Sequence, residues 1–548
     1  MNDGYEHIIR NFGPIWDERS RILILGSFPS PKSREAAFYY GHPQNRFWPL
    51  LASILGAETP QSVEEKKKFV LDRHIALWDT LESCDIIGAG DSSIRNEEPV
   101  DICRILKGAD IRAIFCNGAT SHRLYGKHLE PIAGMKAIRL PSTSPANAAW
   151  SMAALADEWK IIKEYLYEYQ EETMKNYQNA TIFFNGKFTS GSFSVNEEGR
   201  FENVLGPAAP DAEDLHGAYV IPGLIDVHTH GNSGEDFSDG CYDGLQKMAR
   251  YYAVNGVTAF APASMTLPYE VLSKAFATAR QFKETEPEGC SLLAGIHMEG
   301  PYFSEKKKGA QNGDYLKNPD FEGFRKLYED CGGLVSIVDV APELPGAPEF
   351  AAHAKELCTV SVAHTDASYD EAKAVFDAGA SHLTHLFNAM PGIHHRKPGV
   401  IGAASENEGV IAEIICDGLH VHESAIRMAF RLFPGRICII SDSLRCAGME
   451  DGEYELGGQQ VFLQGGIAKL ADGTIAGSAT NLYQCLLNVI RFGIPKEDAI
   501  LAATLIPAKE IGADAEMGSI ADGKLANFII CDEDLIKDRV FIKGKQIL

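Results

Sequence analysis

The 12 cysteines are scattered through 548 residues without a single CxxC pair, so no dense disulfide framework is on offer and reduced thiols in a cytoplasm are expected. The opening residues, MNDGYEHIIRNFG, lack the basic-then-apolar order of a secretory leader. No apolar run approaches the ~18 residues that a membrane helix needs, which leaves a soluble protein with no membrane partner. Internal repeats and low-complexity tracts are missing too, and fibrous and disordered classes drop out with them. Positive charge is in short supply: 51 Lys and Arg face 75 Asp and Glu, a net charge of -24. The first 172 residues carry 20 basic and 24 acidic side chains, so most of the deficit falls on the remainder. Such a field disfavours non-specific DNA binding by that remainder, although a local basic patch can still serve a phosphate.

What is present is globular: 45% hydrophobic and 23% charged residues over a length that calls for two or more cores. One seam stands out, DEWKIIKEYLYEYQEETMKNYQ at 157–178, a charged terminal helix running into a linker. It predicts one domain over 1–172, a small β-sandwich from 173–222 and 514–548, and a barrel over 223–513.

In the amino-terminal part, RILILGSFPS at 21–30, IRAIFCNG at 111–118 and AIRLPSTSPAN at 137–147 read as buried parallel strands, with helical stretches between them. That alternation predicts a three-layer α/β domain whose site lies at the strands' carboxyl ends. The run Glu64 to Lys68 reads as a solvated helix face. Ser142, Thr143 and Ser144 read either as donors to phosphate or as a plain turn before Pro145.

The GSFPS and LPSTSPAN loops, with YYGHPQNRFWPLL at 39–51 and LWDTLESCDIIGAGDSSIRN at 77–96, resemble the uracil-DNA glycosylase superfamily, most closely its hypoxanthine-DNA glycosylase branch. The resemblance spans about residues 15–165 and implies DNA as a partner and a flipped, deaminated purine as the target. It implies a base pocket at Gly26, Ser27, Phe28 and Ser142. Phe28 stands where better-known branches have Asp or Asn, so the resemblance hands the water-positioning role to Asn45. An amide can orient water where leaving-group departure does most of the work. A helix-capping Asn45 and a non-catalytic binding module are the competing readings.

After short strand-like segments from Ala180, eight apolar strand candidates follow, separated by helical stretches: LIDVHTH, VTAFAPASMT, LLAGIHMEGP, LVSIVDVAPE, TVSVAHTDA, SHLTHLFNA, IAEIICDGLH and RICIISDS. Eight strand-helix units predict a TIM barrel with its chemistry at the strands' carboxyl ends. There lie His228, His230, Glu299, His364, His385, His420 and Asp442. Buried imidazoles and carboxylates are costly unless paired or bound to metal, so their convergence on one rim predicts a divalent cation. His297 has no separate claim, and His353 and His382 read as surface and structural residues. The chain's last stretch, GKLANFIICDEDLIKDRVFIKGKQIL, has the character of the first short strands and is predicted to pair with them.

IPGLIDVHTHG, GIHMEGPYFSEKKKGAQN, VAHTDAS, THLFNAMPGIHHRKPG, ICDGLHV, IISDS and GTIAGSA resemble the amidohydrolase superfamily, and within it the N-acetylglucosamine-6-phosphate deacetylases, from about residue 178 to the end. The resemblance implies Glu299, His364 and His385 as ligands of the principal metal, with His228 and His230 available to a second. This donor set suits zinc or iron, one or two per domain. It implies Asp442 as the residue that takes a proton from water and returns it to the leaving amine. For the phosphosugar, the Asn388-Ala389 turn offers backbone N-H groups, Arg396 a planar fork and His420 a further contact, with Gln311 at the sugar. In the family the arginine serves a neighbouring subunit, which implies a homodimer. A solvated His394-His395-Arg396-Lys397 loop is the alternative for that stretch, and a deaminase or cyclic-amide hydrolase the alternative activity.

Overall fold

The computed structural model describes residues 5–88, 90–147, 150–166 and 174–548, in two compact units, Met1–Glu171 and Glu172–Leu548. The predicted boundary at 172/173 lies outside the described residues.

In the first unit, four parallel strands run in the order Ile75–Asp79, Ile22–Gly26, Ala113–Asn117, Ala137–Leu140. Ile22, Leu23, Ile24 and Leu25 are wholly buried, as a central strand covered on both faces requires. Three of these strands match the reading above, although the last stops at Leu140. The strand Ile75–Asp79 is an addition, as is a small antiparallel sheet of Glu6–Ile9, Leu81–Ile86 and Arg95–Pro99. Register places Gly26 opposite Asp79 at the carboxyl end of the sheet. The helix Val63–Leu71 exposes its charged run and is closed by a Ser62/Glu65 capping box.

The second unit contains all eight predicted barrel strands: Leu224–Thr229, Val257–Pro262, Ile296–Met298, Val335–Val340, Thr359–Val362, His382–Leu383, Ile411–Ile415 and Ile437–Ile440. Neighbours are parallel and in chain order. A bridge between Ala263 and His297 joins the second strand to the third. The Asp442 amide donating to His228 O at 2.9 Å draws the eighth against the first. The barrel therefore closes where the predicted site residues are.

Both ends of this unit meet in one eight-stranded sheet, in which Tyr219–Pro222 pairs antiparallel with Phe528–Cys531 and in parallel with Lys175–Phe184. It closes on a core of Tyr177, Phe193, Phe201, Phe528 and Phe541, with Phe528 and Phe541 stacked at 4.3 Å. A four-stranded antiparallel meander over 452–478, absent from the sequence expectations, follows the eighth strand. Its inner face packs on Met265, Ala310 and Leu444. Among the described residues, no helix is long and apolar enough to cross a membrane.

Candidate active sites

The barrel rim brings five of the predicted ligands and Asp442 together. Glu299 Oε1 lies 3.0 Å from His364 Nε2 and 3.2 Å from His385 Nε2, and the two imidazole nitrogens are 3.1 Å apart. On its other side, Glu299 Oε2 is 3.3 Å from His230 Nε2, and His228 Nε2 is 3.6 Å from Oε1. Asp442 Oδ1 faces His230 at 3.4 Å and His228 at 3.7 Å. Every one of these side chains is buried. His364, His385 and Asp442 all have left-handed backbones, with φ of 42°, 30° and 47°, a strained conformation for non-glycine residues that collects at functional sites.

The arrangement could hold a cation. His364 Nδ1 donates to Lys307 O at 2.9 Å, His230 Nδ1 to Ala263 O at 3.2 Å and His228 Nδ1 to Glu413 Oε2 at 2.9 Å. These bonds fix the tautomers, so the Nε2 lone pairs point into the cluster beside a carboxylate. Lone pairs aimed at one another repel unless a positive charge, a proton or a metal ion, lies between them. A tetrahedral zinc site with metal-nitrogen bonds of about 2.0–2.1 Å spaces its ligand atoms about 3.4 Å apart, close to the spacing here. His228 Nε2 and His385 Nδ1 have no hydrogen-bond partner among the described residues.

The electrostatics agree. Burial pulls His228 down, but Glu413, Glu299 and Asp442 outweigh it and hold the ring at about 9. Burial likewise opposes, and carboxylate partners overcome, in raising His230 well above the usual imidazole range. Burial raises Glu299, yet His230, His364 and His385 drive it well below the carboxylate range, and His230 and His228 lower Asp442 against the same penalty. This is a site built for excess positive charge.

The other predicted contacts spread outward. Asn388 and Ala389 follow His385 in a tight turn, with Ala389 at φ 52° and the Asn388 amide donating to His385 O at 2.9 Å. His420 is turned onto Asp417, Nδ1 to Oδ2 at 2.7 Å. Arg396 lies on an exposed turn and donates to His395 Nε2 at 2.7 Å. None of its hydrogen bonds or ion pairs, among the described residues, reaches the other candidates. Gln311 is buried and spent on protein, donating to Glu299 Oε2 at 2.6 Å and accepting from the Thr266 amide at 2.8 Å. His353 is exposed on its helix. His297 is buried and bonds Val227 O at 3.0 Å and Asp339 Oδ1 at 3.0 Å. Glu413, unsuspected from sequence, lies beneath the cluster; a lone acid in the apolar run IAEIIC was the available signal.

The amino-terminal unit holds a cavity of about 1030 Å³ at the carboxyl end of its sheet, lined by Gly26, Ser27, Phe28, Asn45, Ser142 and others. Asn45 Oδ1 accepts from the Phe47 amide and the Thr143 hydroxyl, both at 3.0 Å. It thus braces the start of the helix Phe47–Ile54 while still lining the cavity. Thr143 is wholly buried and held by Asn117 and Asn45, so it is not available to phosphate. Two carboxylates missed from the sequence also line the cavity. Asp91 Oδ2 accepts from Ser27 Oγ at 2.6 Å. Burial pushes Asp79 up to about 7 against the pull of Arg10, its guanidinium 3.9 Å away.

Residues 219–547 match the amidohydrolase family and residues 14–166 the uracil DNA glycosylase superfamily. An N-acetylglucosamine-6-phosphate deacetylase of Vibrio furnissii is 35% identical over 65% of this chain and 90% of its own length. The Bacillus subtilis deacetylase of the same name is 35% identical over 68% and 93%. An N-acetylgalactosamine-6-phosphate deacetylase of Escherichia coli O157:H7 is 33% identical over 60% and 87%. Among solved structures, a Mycobacterium smegmatis N-acetyl-D-glucosamine-6-phosphate deacetylase mutant in complex with N-acetyl-D-glucosamine-6-phosphate superposes with a TM-score of 0.65 at 30% identity, covering 69% of this chain and all of that one. The chain belongs to the amidohydrolase family, as a relative of the N-acetylglucosamine-6-phosphate deacetylases, and carries ahead of its barrel a domain of the uracil DNA glycosylase superfamily.

Proposed function

We propose that the barrel hydrolyses the acetamide of N-acetylglucosamine 6-phosphate to glucosamine 6-phosphate and acetate. The observation that carries this reading is the meeting of Glu299, His364 and His385 within 3.2 Å, with Asp442 beside them. Glu299, His364 and His385 would hold a first divalent cation, and His228 with His230 a second. A cation so held supplies Lewis acidity, lowering the pKa of a water toward about 7 and polarising the amide carbonyl. Asp442, ionised and aimed into the cluster, takes the proton as water oxygen bonds the carbonyl carbon. As the carbon-nitrogen bond breaks, Asp442 returns that proton to nitrogen, which cannot leave as an amide anion. The Asn388 N-H is spent on His385 O, so the left-handed turn offers the Ala389 backbone N-H to the 6-phosphate, and His420 is the further contact. Arg396, exposed and unengaged by its own site, suits a neighbouring copy, which supports a homodimer. Turnover on N-acetylglucosamine with and without the 6-phosphate, and on the galacto epimer, tests the reading. Equal rates with and without phosphate would remove it.

A second reading concerns the amino-terminal unit. The cavity flanked by Asn45 and Phe28 supports excision of hypoxanthine from DNA, with Phe28 stacking on the flipped base and Asn45 orienting water. Cleavage of hypoxanthine-containing duplex by the full chain and by Asn45→Ala decides it. No cleavage by the parent chain, or equal cleavage by both, would leave a binding module.

A further inference from the structure

The seventh barrel strand, Ile411–Ile415, carries one acid in an apolar run, and that acid, Glu413, is wholly buried. A carboxylate there is costly to desolvate and persists only where it is well paired. Glu413 Oε2 accepts from His228 Nδ1 at 2.9 Å and from the His385 backbone amide at 3.2 Å. It therefore touches one histidine from each of the two cation positions proposed above. Its other oxygen, Oε1, faces His382 Nε2 at 3.0 Å and His297 Nδ1 at 3.6 Å. His382 in turn reaches Glu510 Oε2 through Nδ1 at 2.6 Å. Glu510 lies on the helix Leu505–Glu510, where its side chain is 10% exposed. A braced line thus runs from the cluster through the barrel wall: His228, Glu413, His382, Glu510.

We propose that Glu413 is a positioning residue that sets the second cation position. With Nδ1 of His228 committed to Glu413, only Nε2 can face the cluster, beside Glu299 and Asp442. Without that bond, the ring can adopt the other tautomer or turn about its Cβ-Cγ bond, and the second position loses a donor. At the first position His364 is oriented by the Lys307 carbonyl, and Glu413 meets His385 only at its backbone amide, so that position depends less on Glu413. His382 and Glu510 keep the carboxylate from rotating away. The assignment rests on the reading of His228 and His230 as donors to a second cation.

The test uses the full chain stripped of metal and titrated with cobalt(II) alone, followed by absorption spectra and by bound metal after gel filtration. The parent chain is expected to take two cations. Glu413→Gln, similar in volume, removes the charge and turns one of the two acceptor oxygens into a donor, and is expected to weaken the second by about 10–100-fold, the usual effect of altering a partner of a ligand, and the first by less than threefold. Glu510→Gln, remote from every donor, should weaken the second by a smaller factor of at least three. Equal losses at both positions, or a lowered melting temperature with both affinities and the cobalt spectrum unchanged, would overturn the assignment and leave Glu413 as a fold residue. Should Glu413→Gln fail to fold, an unchanged second affinity in Glu510→Gln overturns it instead. A parent chain that takes a single cation would refute the two-cation reading itself, an outcome distinct from a parent with two and a variant that keeps both.

Discussion

Replacing Asp442 with asparagine separates proton transfer from cation binding. The substitution keeps the shape of the side chain and its Oδ1 acceptor, and it leaves untouched the backbone bonds that hold the position, Asp442 N to His228 O at 2.9 Å and Ser478 N to Asp442 O at 2.8 Å. What disappears is the ability to take a proton. Loss of a positioned general base costs about 10²–10⁴-fold in rate, or about 3–5 kcal/mol of barrier at 1.36 kcal/mol per decade. The principal trio does not include Asp442, whose closest approach to the cluster is the 3.4 Å contact with His230. The first cation should therefore stay bound while the second weakens. The assay pairs release of free amine from N-acetylglucosamine 6-phosphate with metal analysis of the same preparation. A kcat within threefold of the parent, or loss of the first cation along with turnover, would refute the proton-shuttle role.

Chelation should lower the melting temperature of the barrel. A cation at 100 times its dissociation constant stabilises the folded state by about 2.7 kcal/mol, and a calorimetric scan with and without chelator reads the difference. In the amino-terminal unit, Asp79 is held at about 7 by burial, above the ~3.9 of an unfolded aspartate. Between those values the folded state binds the extra proton, so stability falls as pH rises from about 4 to 7, by at most about 4 kcal/mol. Asp79→Asn should flatten that slope and raise the melting temperature at pH 7.5; a parallel slope in the variant refutes the cause. Phe528→Ala removes a ring stacked in the core of the end-pairing sheet and should cost about 3–5 kcal/mol, read from urea unfolding of the second unit.

The legible parts of this chain share one property: each combines an unbroken apolar run with punctuation that has a single use. The barrel strands are buried on both faces and end in His, Glu or Asp, so LIDVHTH or RICIISDS announces both the strand and its site residue. Ile75–Asp79 was missed because its run is five residues long and closes on Trp78 and Asp79, which read as motif rather than strand. The 452–478 meander was missed because its strands are half exposed and lean on Met265 and Ala310, partners far away in sequence. Asn45 shows a different limit. Its cap-like bond to the Phe47 amide and its place on the cavity wall are both real, and sequence cannot reveal that one oxygen also serves Thr143. Gln311 was read as a sugar contact, whereas its amide is occupied by Glu299 and Thr266, an arrangement that only tertiary geometry displays.

The sheet that joins the two ends of the second unit governs the order of events during synthesis. Lys175 Nζ donates to Gly544 O, a pairing across 369 residues. Joining ends so far apart carries a loop-closure penalty of about 5 kcal/mol beyond a constant term. The first unit has all its strands by Leu140 and can collapse while the ribosome is still reading the barrel. The second must wait for Phe528–Cys531 and Lys537–Ile542 to emerge before Lys175–Phe184 and Tyr219–Pro222 find their neighbours. A ribosome that stalls before Phe528 has emerged would therefore leave a finished first domain attached to a barrel with an open sheet edge, the kind of edge on which another chain can pair.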